Sequence, residues 1–436
     1  MRTGSVASAR IGLRLRGSLR LRVAAARRAM SSAPSVSAAR GRIVAMSATL
    51  ENSVVLDEAA GVVRILDRRV FPARVEWVDA TTPDEVAAAI RDMVTQSSGP
   101  LYAATAGMGL AALQGRGLPL GEARTALGRA GRALATARPT NAHPRDAVAR
   151  ILAAGRDADD TDALVSATLE TAEAVDRDYR EASLRLGRAT LSLLPESPRI
   201  LTHCWADAYL FGLVAAAREA GREIEWIATE TRPYLQGARL TAHSLRELDQ
   251  KVTLITDGMA AAALASPRGV GSGPIDAVVT AADRVALDGS VVNKVGTLAH
   301  AAAAAAFGIP YYAMVEAPDP SAPTGADVVI EDRDPREVLE VLGRRTASPL
   351  VTDAWYPAFD VTPPRLVTRI ATSRGTFAPA NVGEHFTTDP DAEAADAAPS
   401  LRRRRSPVEP APVAATVQPD TVAFRPVSPT PDEDPS

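Results

Sequence analysis

The stretch Ser197–Glu230, SPRILTHCWADAYLFGLVAAAREAGREIEWIATE, decides the fold. Its opening run Arg199–His203 (RILTH) is short, apolar and β-prone, as is Glu223–Ala228 near its end, and the Ala-rich residues between them are spaced for a helix that begins near Ala206. A helix of that length joining two strands is a crossover, and crossovers make neighbouring strands parallel. The unit then repeats. Val252–Thr256, Ala277–Ala281 and Tyr311–Val315 are further strand candidates, with helices predicted from near Ala242, Met259 and Val295. Strand–helix alternation predicts an α/β fold, a doubly wound, Rossmann-like and mostly parallel sheet with helices on both faces. Such sheets bind ligands in the crevice beyond the carboxyl ends of their strands, so the residues directly after each run carry the functional question.

Those residues are polar and chemically capable. They are Cys204, then Glu230 and Arg232, then Asp257, then Asp283 and Arg284, with Asn293 and Lys294 expected at the entry to the next helix. Cys204 has two readings, a small buried hydrophobe or a thiol whose pKa is lowered by the helix that follows. His203 cannot form a dyad with it, because adjacent strand residues point to opposite faces, and reads as a hydrogen-bonded core histidine. Asp283 follows an apolar strand, where a carboxylate is costly to bury, and either pairs with Arg284, caps the next turn or serves as an acid. Asp257 is equally suited to capping a helix from Met259. The glycines of RGVGSG, Arg268–Gly273, precede a strand instead of following one, which argues against a dinucleotide site.

Outward from this region the texture changes. Toward the N-terminus, Val54–Leu56, Val62–Leu66 and Val75–Val78 suggest a small antiparallel opening, and Pro83–Met93, Ala104–Gln114, Gly121–Ala137 and Pro144–Leu193 read as helices. We therefore divide the chain into a basic lead (1–45), a β-rich opening with a helical subdomain (46–194), a Rossmann-like domain (195–385) and a Pro-rich tail (386–436). The lead holds ten arginines and no acidic residue. It has no apolar core of the kind a secretory signal needs, and it is expected to be an unstructured lead or an over-extended start. The tail includes the basic run Arg402–Arg405, read as solvated charge in a disordered segment.

Composition narrows the function classes. The 436 residues carry a formal net charge of -3, but removing the ten arginines of the lead leaves 39 cations against 52 acids, so the near-neutral total is no sign of nucleic-acid binding. Lys251 and Lys294 are the only lysines, and Cys204 is the only cysteine. One cysteine and five histidines leave no disulfide framework and no four-cysteine metal site. No run approaches the length and apolarity of a membrane span.

Several motifs together resemble the methylthioribose-1-phosphate isomerase family. They are ILTHC (Ile200–Cys204), ETRPYLQGARLTAHSL (Glu230–Leu245), VTLITDGMA (Val252–Ala260), AADR (Ala281–Arg284), VVNKVGT (Val291–Thr297) and YPAFDVTPP (Tyr356–Pro364), joined by RPTN (Arg138–Asn141) and IEDRDP (Ile330–Pro335). That family shares a superfamily with ribose-1,5-bisphosphate isomerase and the initiation-factor 2B alpha, beta and delta regulatory subunits. The resemblance covers about residues 52–380. It implies a cytoplasmic, homodimeric, cofactor-free aldose–ketose isomerase of methionine salvage, acting on a ribose 1-phosphate with a substituent at C5. It places Cys204 and Asp283 in the catalytic roles and Arg138, Gln236, Asn293 and Lys294 around the sugar phosphate, with Lys294 expected to act beside the amides of a helix start. Two segments depart from the family pattern. An RGAPAIG-like segment with a substrate-contacting arginine is replaced by TQSSGPLYAA (Thr95–Ala104), and Trp205, Ala206 and Asp207 follow the cysteine where small residues are usual. Gly258 stands where that family's aspartate loop has asparagine. These departures keep a second 5-modified pentose phosphate, such as 5-deoxyribose 1-phosphate, and a non-catalytic binding role like that of the initiation-factor subunits as alternatives.

Overall fold

The computed structural model describes residues 49–138 and 141–389. The basic lead and the tail from residue 390 onward lie outside the described residues, as do Pro139 and Thr140 of the RPTN motif.

The chain opens with an antiparallel meander, β1 (Val54–Asp57), β2 (Val62–Leu66) and β3 (Trp77–Ala80). Alternation sets its faces. Val63 and Ile65 are buried while Arg64 between them is exposed. The third strand starts two residues later than Val75–Val78 predicts, leaving Val75 in solvent.

Helices follow at Pro83–Arg91, Gly99–Gly115, Leu120–Thr136, Ala142–Ala154 and Thr161–Ser192. The first has a capping box, in which the Thr82 side chain takes the Glu85 amide and Glu85 takes that of Thr82, with proline at the first helical position. The continuous helical texture from Pro144 to Leu193 is two helices. Asp160 caps the second through the Ala163 amide, which halts the pattern at Gly155–Asp160. The helix expected from Ala104 starts at Gly99 and is buried on nearly all sides, so its hydrophobic pattern has little periodicity to mark its start.

From Arg199 the predicted alternation appears. The strands are β4 (Arg199–Thr202), β5 (Glu225–Thr229), β6 (Lys251–Ile255) and β7 (Ala277–Ala281), then β8 (Arg284–Val285), β9 (Val291–Lys294), β10 (Tyr311–Met314), the short hairpin β11 (Glu340–Val341) and β12 (Arg344–Arg345), and β13 (Phe359–Thr362), β14 (Arg369–Thr372) and β15 (Gly375–Phe377). Seven of them form one sheet in the order β15-β14-β10-β7-β4-β5-β6, parallel throughout except for β15 at one edge. The chain runs from β4 outward through β5 to β6, then returns to place β7 on the other side of β4. Order reverses between β4 and β7, which makes their carboxyl ends the switch-point crevice. The helix Ala208–Glu219 packs so closely on the long helix Thr161–Ser192 that a Cβ on Gly187 would lie 2.3 Å from the Gly212 carbonyl oxygen. Among the described residues no helix is long and apolar enough to cross a membrane.

The sequence reading did not anticipate a second, three-stranded antiparallel sheet in the order β13-β9-β8. It joins residues about seventy positions apart, with Asp360 opposite Asn293 and Phe359 opposite Lys294.

Candidate active site

A cavity of about 1010 Å³ opens at the switch point, and Arg138, Cys204, Gln236, Asp283, Asn293 and Lys294 all line it. Cys204 lies two residues beyond β4 and Asp283 two beyond β7, the two strand ends at which chain order reverses. One wall therefore comes from the sheet. A second part of the lining comes from the helical part of the chain, through Met93, Gln96, Ser97, Ser98, Leu101 and Arg138.

The backbone around Cys204 is held from both sides. Its φ is +66°, its amide donates to Thr231 Oγ1 at 2.9 Å, and its carbonyl accepts from Thr241 Oγ1. Thr231 is fixed in turn by Asp257, whose carboxylate accepts the amides of Thr231 (2.8 Å) and Arg232 (2.6 Å). Asp257 thus anchors the β5 loop and does not cap the helix from Met259, correcting one of its two sequence readings. Gln236 lines the cavity directly before a π-helical turn, Gly237–Thr241. Only glycine fits at its start, since a Cβ on Gly237 would lie 1.8 Å from the Thr229 carbonyl oxygen.

The expectation that a helix dipole lowers the Cys204 thiol pKa is not met. The helix does not begin until Ala208, and burial pushes the thiol up to about 12, with Lys294 the chief opposing influence. Cys204 is therefore a neutral thiol at rest. Asp283 lines the cavity with its side chain exposed there, and the protein packed around it limits hydration enough to raise its carboxyl above the usual range despite the cations Lys294, Arg138, Arg333 and Arg284 nearby. Arg284 pairs with Asp319 at 3.3 Å and adds to the positive charge around Asp283.

Asn293 and Lys294 do not enter a helix. They close strand β9, and the helix Thr297–Ala306 starts three residues after Lys294. Two of the amides at that helix start already have an acceptor. Asp360 Oδ2 accepts from Gly296 at 2.7 Å and Oδ1 from Leu298 at 3.1 Å, and burial pushes the Asp360 carboxyl up to about 6. Lys294 lines the cavity with its ammonium 4.7 Å from the centre of the Phe359 ring, and burial lowers its pKa. Asn293 donates its amide to Thr297 Oγ1 at 2.9 Å.

Arg138 adds a second cation, its Nη1 2.7 Å from Met93 Sδ, and burial lowers its pKa. Arg333, which the sequence reading carried only within IEDRDP, brings Nη1 to 3.9 Å from the same sulfur and pairs with Glu331 at 3.0 Å. Two guanidiniums beside one sulfur, with Lys294 near, make a positive recess suited to a phosphate dianion.

His203 is a core histidine, as its position after β4 suggested. Nε2 donates to the Val295 carbonyl at 3.0 Å, Nδ1 lies 2.6 Å from Thr229 Oγ1, and burial pushes its pKa down to about 3. Among the described residues, His203, Asp257 and His300 form the one group with three possible metal ligands in close range. Both His203 nitrogens and both Asp257 oxygens already have hydrogen-bond partners, so the group reads as a buried polar network.

The Initiation factor 2 subunit family matches residues 100–379. A protein of Anaeromyxobacter sp. (strain K) named methylthioribose-1-phosphate isomerase is 42% identical over 334 residues, covering 74% of this chain and 92% of its own length. The crystal structure of 5-methylthioribose 1-phosphate isomerase from Pyrococcus horikoshii OT3 superposes with a TM-score of 0.69 at 29% identity, covering 79% of this chain and 99% of that one. The delta subunit of translation initiation factor eIF-2B from A. fulgidus gives a TM-score of 0.67 at 30% identity, covering 76% and 96%.

Proposed function

The chain belongs to the methylthioribose-1-phosphate isomerases of the initiation factor 2 subunit family, and from that premise we propose that it converts S-methyl-5-thioribose 1-phosphate to S-methyl-5-thioribulose 1-phosphate in methionine salvage. The observation that carries the reading is the meeting of Cys204 and Asp283 at the switch point, beside the cations Lys294 and Arg138.

The chemistry follows from the substrate. A phosphate on the anomeric oxygen prevents the ring from opening as a free hemiacetal does, so an acid must protonate the ring oxygen as the C1–O bond breaks. Asp283 suits this role, because its raised pKa favours the protonated form. Loss of the proton leaves Asp283 a carboxylate and C1 an oxocarbenium centre. Hydrogen then passes from C2 to C1 as hydride, and the carboxylate takes the proton of the 2-hydroxyl as the ketone forms. A proton route would need a base at C2, and burial disfavours the thiolate that Cys204 would have to become. The neutral Cys204 thiol instead packs against the reacting carbons and excludes water. Lys294, Arg138, Gln236 and Asn293 hold the sugar phosphate.

The apolar residues Leu101, Val175, Ala182, Ala206 and Val315 line the same cavity and suit an uncharged 5-substituent. A cytoplasmic location rests on the family of metabolic enzymes alone. A homodimer accords with the exposed apolar side chains Val329, Leu342, Leu350, Val351 and Trp355 within one segment.

The test is phosphorus NMR of purified protein with methylthioribose 1-phosphate, in which the aldose signal is expected to give way to that of the ketose. Unchanged signals for several ribose 1-phosphates, under conditions where a reference isomerase converts them, would remove the proposal. In deuterium oxide the product is expected to carry no deuterium at C1. Incorporation there replaces the hydride step with proton transfer.

A further inference from the structure

We infer that the buried ion pair between Arg68 and Asp207 is a positioning device that fixes the Cys204 loop against the Gln96–Ser98 segment. The inference rests on the proposed role of Cys204 in the reaction.

Arg68 and Asp207 meet at 2.8 Å with side chains 0% and 2% exposed, although 139 residues separate them in sequence. Each holds a further part of the cavity wall. Arg68 Nη1 also donates to the Gln96 carbonyl at 2.7 Å, and Nη2 to Ser53 Oγ at 2.7 Å. Asp207 Oδ2 also accepts the Ser98 amide at 3.1 Å. Ser97 Oγ donates to the Trp205 carbonyl at 3.1 Å, a second tie between the same two segments. Gln96, Ser97, Ser98, Cys204 and Trp205 all line the cavity, so the pair lies behind the wall on which the substrate would rest.

Stability alone does not account for this arrangement. A buried ion pair contributes little net stability compared with apolar side chains of the same volume, whereas breaking one partner is costly. The loop it holds is also conformationally unfavourable, since Cys204 (φ +66°) and Asp207 (φ +49°) both adopt the left-handed region that side chains avoid. Such a loop keeps its shape only where its surroundings over-determine it. The Thr231 and Thr241 hydroxyls do this at Cys204, and Arg68 with the Ser98 amide does it at Asp207. Both joined segments are also those in which the sequence departs from the family pattern, with no arginine in Thr95–Ala104 and Asp207 after the cysteine. Arg68 cannot stand in for that arginine at the substrate. Its guanidinium has no exposed surface and is engaged by Asp207, Gln96 and Ser53.

The pair can be tested with Asp207→Asn, Arg68→Gln, the double variant, and Arg68→Lys, which keeps the charge but not the planar fork. The measurements are kcat and KM for methylthioribose 1-phosphate, the Tm, and the rate of Cys204 alkylation by iodoacetamide as a function of pH. Each single variant is expected to lower kcat by about tenfold to a hundredfold while KM changes less than about threefold, because a small misplacement of the wall packed against the reacting carbons costs rate. The alkylation profile should shift in the same variants. The double variant, whose amides restore an uncharged contact, is expected to return both kcat and the alkylation profile toward wild type. If Asp207→Asn does not fold, Arg68→Lys is expected to lower kcat with a Tm near wild type. Single variants that lose Tm but keep kcat and the alkylation profile overturn the inference, as does a double variant that recovers Tm while kcat stays low. Absence of turnover in the wild-type protein would instead defeat the proposed function, and the alkylation profiles would still decide whether the pair positions Cys204.

Discussion

The two walls of the cavity differ in how they are made. The sheet wall places Cys204 and Asp283 at adjacent strand ends, with Asn293 and Lys294 on a strand of the second sheet, and all four lie in motifs of the isomerase family. The helical wall places Gln96–Ser98 and Arg138 on loops between helices, and it carries the segment without the arginine that the family pattern has. The difference suggests a division of labour. In the proposed roles, the two groups assigned to the reacting bonds follow adjacent strand ends, while those assigned to the phosphate come from both walls, Asn293 and Lys294 from a strand and Arg138 from a loop.

The largest expected effects test the sheet wall. Asp283→Asn is expected to lower turnover by about a thousandfold or more, within the range that general acid–base catalysis contributes, and Cys204→Ala by about a hundredfold. Ligand-induced thermal stabilisation should survive in both, measured by thermal shift with methylthioribose 1-phosphate. Wild-type turnover in both variants would break the division.

Next come the cations. Arg138→Gln and Lys294→Met should each raise KM about tenfold to a hundredfold, as expected for loss of a charge-assisted contact, with a smaller change in kcat. Steady-state kinetics checks this, and a fall in kcat at constant KM would move the residue from binding to chemistry. A smaller effect is expected at Trp205, which is buried beside Cys204 with its ring edge-on to Phe211 at 5.6 Å. Trp205→Ala should change the ratio of kcat/KM between methylthioribose 1-phosphate and 5-deoxyribose 1-phosphate by about threefold to tenfold. An unchanged ratio would remove Trp205 from substituent selection.

The smallest effect concerns stability behind the helical wall. Asp176, on the long helix, accepts from Thr105 Oγ1 at 2.8 Å, and burial pushes its carboxyl up to about 7 from an ordinary 3.8. Between those values the folded chain retains a proton that the unfolded chain has released. Stability is therefore lost as pH rises through that window, and the loss is complete above it. Asp176→Asn should remove this loss, so its Tm should gain on wild type by a few degrees between about pH 4 and pH 8. Parallel Tm curves across that range would show that the carboxyl carries no such penalty.

Much of the sheet wall could be read from the sequence because strand ends are local features. RILTH and AVVTA are short β-prone runs, and the residues after them face the crevice wherever a parallel sheet forms. The reading failed where partners are remote. VVNK looked like the approach to a helix, yet it is a strand, because FDVT some seventy residues later pairs with it. The same remote segment brings Asp360 to the helix start that was expected to bind phosphate. Arg68 gave no local signal at all, since nothing near it in sequence requires a buried guanidinium.

By itself, the sequence determined the chemical inventory, one cysteine and one of two lysines at the ends of an alternating strand–helix pattern, and the motifs by which the family is known. Tertiary structure decided the state of that inventory. It made Cys204 a neutral thiol, raised Asp283, silenced His203 and matched Arg68 with Asp207. The physical reason is common to all four. Desolvation and charge pairing depend on which atoms surround a group after the chain has closed, and those atoms come from segments that no local pattern links.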